Sequence, residues 1–333
     1  MDLSTTYLGL HLAHPFMAGA SPLSDSLDGV RRLEDGGAAA IVLRSLFEEQ
    51  ITMAESGRMH GMDPHERAFA DLLSEFPDQA SYVFTPDAYL EHVRKAKAAV
   101  SIPVFASLNG TTSTSWIAFA GRLEQAGADG LELNMYDIVS QPGISGFAIE
   151  QRIRDVVAEL KASLRMPVAV KLSPFFTAMG NLASQLDAAG VDGLVLFNRF
   201  YQPDIDIDTL ATVPRVTLSS SAELLLRLRW MAILHSRVHA SLGLTGGVGV
   251  PADGIKAILA GAHAVQLVSA LLRHGVSHLS AMRDGMARWM DEREFATLSE
   301  VCGQSSLAHW ADPSAFERGT YIRMLQSREL PAN

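Results

Sequence analysis

Four times along this chain an amphipathic stretch runs into a glycine and then into a short apolar segment. The four copies are GGAAAIVL (36–43), AGADGLEL (126–133), AGVDGLVL (189–196) and AGAHAVQL (260–267). Glycine suits the junction because the residue after a helix often adopts positive φ. Four or five apolar residues without polar alternation describe a strand buried on both faces. A second pattern, IPVFASL (102–108) and MPVAVKL (166–172), falls between these copies, with proline at strand entry.

Helices are predicted at 26–36, 86–99, 114–126, 147–164, 177–189, 220–237, 252–261 and 276–292, the sixth with a capping signal at Ser220 and Glu223. With FMAGA (16–20) and ASLGLTGG (240–247) added, eight strands are predicted near 16, 39, 103, 131, 168, 193, 241 and 264. Alternating helices and buried strands make a parallel sheet, and eight such units predict an α/β fold, a (β/α)8 TIM barrel, over about residues 14–292. A doubly wound open sheet is the runner-up. No low-complexity linker interrupts the 333 residues, so one domain is expected. Two segments exceed the bare barrel. Residues 47–85 form a long loop after strand two, where a routine βα loop has about 2–6 residues. Residues 293–333 form a C-terminal helical extension packed outside. In this fold βα loops lie at the catalytic face, so the long loop is expected to shape or cover the site.

Composition removes several function classes. Apolar residues make up 48% and charged residues 19%, enough for a large core. The apolar runs stop well short of the ~20 residues of a membrane span, and no basic region precedes an apolar stretch at the start, so no membrane contact is expected and a cytoplasmic enzyme is. A net charge of −10 without Lys/Arg runs argues against nucleic acid. One cysteine, Cys302, excludes an internal disulfide and an iron–sulfur cluster held by this chain alone. His235 and His239, at i and i+4, have no obvious third ligand, so no metal site is expected; they read as complements to a helix dipole. Cys302 reads as a small packed residue.

Polar residues at the C-terminal ends of barrel strands face the site. Read in order, those ends carry Ala20, Ser21, Arg44, Ser45, Ser107, Asn109, Asn134, Lys171, Asn198, Thr245-Gly246-Gly247 and Ser269. This ring of amides, hydroxyls and two cations contains no carboxylate pair, and it suits a polar planar molecule that develops negative charge. Gly246 and Gly247, with Ser269 after the last strand, are placed where this fold often binds phosphate; the competing reading is a plain tight turn. A formal G-x-G-x-x-A at Gly247–Ala252 lacks the acidic residue that a dinucleotide fingerprint requires. Lys171 ends an apolar run, so it is either a cation aimed at the mouth or half of a structural ion pair. Asn134 and Asn198 are either ligand-facing amides or satisfied turn residues.

These strand-end residues resemble the dihydroorotate dehydrogenase family, most closely its soluble class 1 branch, over roughly residues 3–292. The matching segments are HPFMAGAS (14–21), LELN (131–134), PVAVKLSPFF (167–176), LTGGV (244–248) and AVQLVSAL (264–271). The resemblance implies an FMN-bound barrel that oxidises dihydroorotate to orotate, in pyrimidine biosynthesis, as a homodimer. It implies Ala20 and Ser21 near the flavin, Lys171 by its pyrimidine end, and Arg44 where the family has lysine, followed by Ser45. Gly246, Gly247, Val268 and Ser269 would hold the phosphate, and Asn134 and Asn198 would face flavin and substrate. The substrate half departs from the family. The Ser or Cys base and the Pro-Asn after it are replaced by Met135-Tyr136-Asp137-Ile138-Val139, so Asp137 stands in the base position, with Tyr136 as candidate acid and Ser140 within loop reach. The family's Asn-x-x-Gly-x-x-Asn has no match in 47–85, and RVTLSSSAE (215–223) replaces a Gly-rich stretch. The expectation is therefore an FMN oxidoreductase acting on dihydroorotate or a related cyclic substrate. The alternatives are a flavin-binding paralogue without dihydroorotate activity that works with an electron-transfer partner, and a flavin-free phosphate-sugar enzyme.

Overall fold

The computed structural model describes residues 1–56, 82–110, 115–199, 202–213, 217–308 and 310–327. Eight parallel strand positions close into a barrel. In chain order they are β3 (Phe16–Ala18), β4 (Ile41–Val42) continued by β5 (Leu46–Phe47), β6 (Val104–Asn109), β7 (Gly130–Asn134), β8 (Val168–Leu172), β9 (Gly193–Leu196), β12 (Ser241–Thr245) and β13 (Ala264–Leu267). Each pairs in parallel with its sequence neighbour around the barrel, and the β13–β3 pairing closes the ring through Val265↔Phe16 and Leu267↔Ala18. The open-sheet alternative is thereby excluded.

The four repeat glycines do what their position predicts. Gly37, Gly127, Gly190 and Gly261 have φ of 92°, 92°, 87° and 115°, turning each helix end into the next strand. The helices that precede strands include α1 (Leu27–Asp35), α3 (Pro86–Ala99), α4 (Ser115–Gln125), α5 (Gly146–Ser163), α6 (Met179–Ala188), α7 (Leu224–Leu234) and α8 (Pro251–Ala260). After β13 come α9 (Ser269–His274) and α10 (His278–Asp291). The Ser220–Glu223 capping box forms, but it starts a short 3-10 turn that leads into α7.

Strand alternation sorts side chains between two cores. Outward residues such as Leu131, Leu133, Val168, Val170, Val265 and Leu267 pack with the helices. Inward residues such as Met17, Val42, Phe105, Ala169, Val195 and Ala264 fill the lumen with Tyr7, Leu8 and Leu12 from an N-terminal hairpin, β1 (Thr5–Tyr7) and β2 (Leu10–Leu12). The hairpin closes the N-terminal end of the barrel, with Tyr7 edge-on to Phe105 at 6.1 Å. The upper lumen is polar, and it is there that the site begins.

Two further elements interrupt the plain repeat. Helix α2 (Glu48–Ser56), which the sequence reading assigns to loop, opens the long segment after β5, and β10 (Asp204–Asp206) pairs with β11 (Ala211–Val213) as an exposed hairpin. Of the long loop, residues 57–81 lie outside the described residues, and with them most of the expectation that it covers the site. The C-terminal extension contributes α11 (Leu298–Val301) and α12 (Pro313–Gln326). It joins the N-terminus through Asp2 N–H to Ala296 C=O (2.8 Å) and Leu298 N–H to Asp2 C=O (2.9 Å). Among the described residues no helix is long and apolar enough to cross a membrane.

Candidate active site

The C-terminal strand ends bring several predicted residues into direct contact. Ser45 and Ser107 share a hydrogen bond between hydroxyls at 2.7 Å, and Asn134 Nδ2 donates to Ser45 Oγ at 2.9 Å. Asn134 is 4% exposed, and its Oδ1 is buried with no hydrogen-bond partner among the described residues. An orphaned acceptor of this kind costs about 1–3 kcal/mol, so it marks a place where an N–H donor belongs. Lys171 lies beside Asn134 in the β7–β8 register.

Lys171 is half of a buried ion pair at the end of β8. Its Nζ donates to Glu132 Oε1 at 2.5 Å, and Glu132 Oε2 accepts from Gln266 Nε2 at 2.5 Å. Sequence reasoning missed Glu132 and Gln266. The available signal was parity: in LELN, Glu132 is two residues before Asn134 and shares its inward face.

At the opposite side of the mouth, Gly246 and Gly247 have φ of 83° and 79°. A Cβ on Gly247 would lie 2.6 Å from the Leu224 backbone nitrogen, and one on Gly246 would lie 2.7 Å from the Arg227 guanidinium. Gly247 N–H donates to Ser219 Oγ (3.2 Å), and Ser219 donates both its N–H and its hydroxyl to Ser269 Oγ at 3.0 Å. Arg273 donates to the carbonyls of Leu218 and Ser219 at 2.7 and 2.6 Å, fixing this strand of backbone. Ser219 and Arg227 are further residues that the sequence reading did not single out; Ser219 lies in the serine run that replaces the family's glycines. Two adjacent glycines with left-handed backbone beside a hydroxyl pair form a cradle of phosphate-binding character.

Other predicted residues have partners of their own or lie around the strand ends. Arg44 Nε pairs with Asp25 at 2.9 Å, and its backbone N–H donates to Ser24 Oγ. Burial raises the Asp25 carboxyl above its ordinary range against the opposing pull of Arg44. Asp137, just past β7, pairs with Arg152 of α5. A cavity of about 400 Å³ opens beside that pair, walled by Met135, Asp137, Arg152, Ser173, Phe175 and Phe176. Ser140 is exposed, Ser21 is buried behind the mouth, and Asn198 is partly exposed, with its N–H on Leu172 C=O at 2.8 Å. Ala20 and Val268 follow β3 and β13 as expected, both partly buried.

The histidine pair is rearranged at the far end of the barrel. His239 turns to Asp187 (3.0 Å), while His235 sits with His263 and Cys302, their donor atoms all within 4.8 Å. His263 Nδ1 accepts from Leu242 N–H at 2.9 Å, so the proton of a neutral ring is on Nε2 and that nitrogen has no lone pair to offer. Burial pushes the Cys302 thiol up to about 11.

A family model described as dihydroorotate dehydrogenase matches residues 84–290. Several relatives named "Dihydroorotate dehydrogenase B (NAD(+)), catalytic subunit" align along nearly their whole length. The protein of Thermoplasma acidophilum is 27% identical over 91% of this chain and 98% of its own. That of Methanocella arvoryzae is 26% identical over 93% and 98%, and that of Pyrococcus abyssi 25% over 90% and 98%.

Proposed function

The chain belongs to the dihydroorotate dehydrogenase family, and from that premise we propose that it is an FMN-dependent oxidoreductase of CH–CH groups that acts on dihydroorotate or a closely related cyclic amide. The observation that carries the reading is the orphaned Asn134 Oδ1, buried at a strand end between Ser45 and Lys171. The residues fit a flavin mononucleotide. Ala20, Ser45, Asn134, Lys171 and Asn198 would hold its ring, and Gly246, Gly247, Ser219, Val268 and Ser269 its phosphate. When bound, FMN supplies a two-electron acceptor for the hydride that leaves the substrate carbon.

The chain's own groups supply the rest. The Asn134 amide orients N–H and C=O groups through one committed and one open bond. Lys171 provides positive charge where electrons arrive. Asp137 is our candidate to take the proton from the neighbouring carbon, and its pairing with Arg152 fixes where its carboxylate lies. Tyr136 stands beside it as candidate acid. Proton and hydride together account for the two hydrogens lost as the C–C bond becomes double. Arg44, tied to Asp25, stands where the resemblance puts a lysine and remains a candidate contact to the cofactor.

A second reading has its own support. The relatives are named as catalytic subunits of an NAD(+)-linked enzyme, and Asp137 is engaged by Arg152, so electron exchange with a separate protein partner is compatible with the site. A homodimer and a cytoplasmic location belong to the same proposal. The direct test is to purify the protein, reconstitute it with FMN and record the visible spectrum. Stoichiometric yellow protein is expected, and a colourless protein that refuses FMN removes the reading.

A further inference from the structure

Beneath the ring of site residues the lumen holds a charged tier. The Lys171 and Glu132 side chains are 7% and 2% exposed, and both Glu132 oxygens are committed, one to Lys171 and one to Gln266. Glu132 and Lys171 come from adjacent strands, β7 and β8, whereas Gln266 comes from β13, across the barrel. The carboxylate therefore ties one wall of the lumen to the other directly under the site. A buried ion pair is weak evidence for stability, since apolar residues of similar volume often serve as well. A charged tier at this level therefore calls for another reason. A lysine has three N–H donors and a flexible four-carbon stem. Fixing one donor on an immobile carboxylate sets the direction of the other two and keeps the ammonium charged where water is scarce.

We propose that Glu132, braced by Gln266, is the positioning residue of Lys171, holding it as a protonated, directed ammonium and thereby setting the reduction potential of the bound flavin. The inference rests on the flavin reading above and adds to it a residue that would not touch the cofactor. The titratable groups facing Glu132 are Lys171, the Tyr7 hydroxyl and the Tyr89 hydroxyl. Burial, then the negative charge of Glu132, pushes the Tyr7 phenol up, and burial does the same to Tyr89, so both stay neutral and leave Lys171 as the counter-ion.

The test is the midpoint potential of the FMN-loaded protein between pH 6 and 9, in wild type, E132Q, K171M and E132Q/K171M. Glutamine keeps the shape of Glu132, and Gln266 can turn its unpartnered Oε1 toward the new amide. In E132Q the ammonium is buried without a counter-ion, a state that burial disfavours against the neutral amine. The E132Q potential is therefore expected to fall progressively below wild type as the pH rises. That extra slope is expected to vanish in E132Q/K171M, which should follow K171M. An E132Q profile superimposable on wild type overturns the proposal, as does an extra slope that survives in the double variant. Wild type that takes up no FMN overturns the flavin reading and this inference with it. Wild type that loads FMN beside an unaltered E132Q overturns this inference alone. If E132Q fails to fold, the double variant decides. Without a lone buried charge it is expected to fold, bind FMN and match K171M, and a double variant as unfoldable as E132Q contradicts the role assigned here.

Discussion

Asp137, Gly247 and Tyr7 each make a separate expectation. Asp137→Asn removes a proton acceptor while preserving size. If Asp137 takes the substrate proton, the rate of substrate-driven flavin reduction falls by about 10²–10⁴-fold in stopped-flow absorbance. An unchanged rate passes the role to another group. Gly247→Ala places a Cβ 2.6 Å from the Leu224 backbone nitrogen at a φ of 79°. The expected result is a loss of about 1–3 kcal/mol in thermal or denaturant unfolding, together with a sharp drop in FMN content. Stability lost without FMN content would make the glycine pair a structural turn only. Tyr7→Phe is the converse case. The Tyr7 hydroxyl is buried with no hydrogen-bond partner among the described residues. Its removal is expected to be neutral or stabilising by up to about 1 kcal/mol in urea unfolding, since no bond is broken.

At the scale of elements, legibility followed periodicity. The glycine-apolar repeats predicted the helix ends and strand starts because a buried parallel strand and a left-handed helix terminus each leave a one-residue signature. Gly37, Gly127 and Gly190 lie two residues past the last helical residue and Gly261 one residue past it, all four with positive φ. What the sequence did not disclose has two physical sources. Helix α2 and the β10–β11 hairpin are insertions whose residues lack the barrel's own pattern, so nothing in the repeat announces them. The partners within the site come from strands far apart in the chain. Glu132 and Gln266, 134 residues apart, meet only because the barrel closes. Likewise His235 was paired in sequence with His239, four residues on, but the end of α7 turns His239 to Asp187, and His235 meets His263 from the next helix–strand turn. The strand-end asparagines and Lys171 were readable because their positions at the ends of apolar runs single them out; the orientation of Arg44 toward Asp25 was not, because Asp25 follows a different strand.

The molecule as a whole couples its closed lower end to acidity. His14, beside β3, is buried, and burial, aided by the nearby Arg283, pushes it down from 6.5 to about 4. Burial and the neighbouring His235 lower His263 as well. The folded state thus resists taking up protons that the unfolded chain accepts. The resulting stabilisation is complete above about pH 6.5 and is lost as the pH falls toward 4, worth up to about 3 kcal/mol for His14. Melting temperature is expected to fall across that window. His14→Asn, which keeps an acceptor for the Phe16 N–H, should flatten the decline; an equally steep decline would remove His14 as its source. At the upper end Gly246, Gly247, Ser219 and Ser269 come together, and it is there that we propose FMN is held and takes electrons from the substrate. The measurement that tests it most directly is the visible spectrum of FMN-loaded protein during anaerobic addition of dihydroorotate. The yellow colour is expected to bleach in proportion to the substrate added. A spectrum that stays yellow with excess dihydroorotate would contradict it.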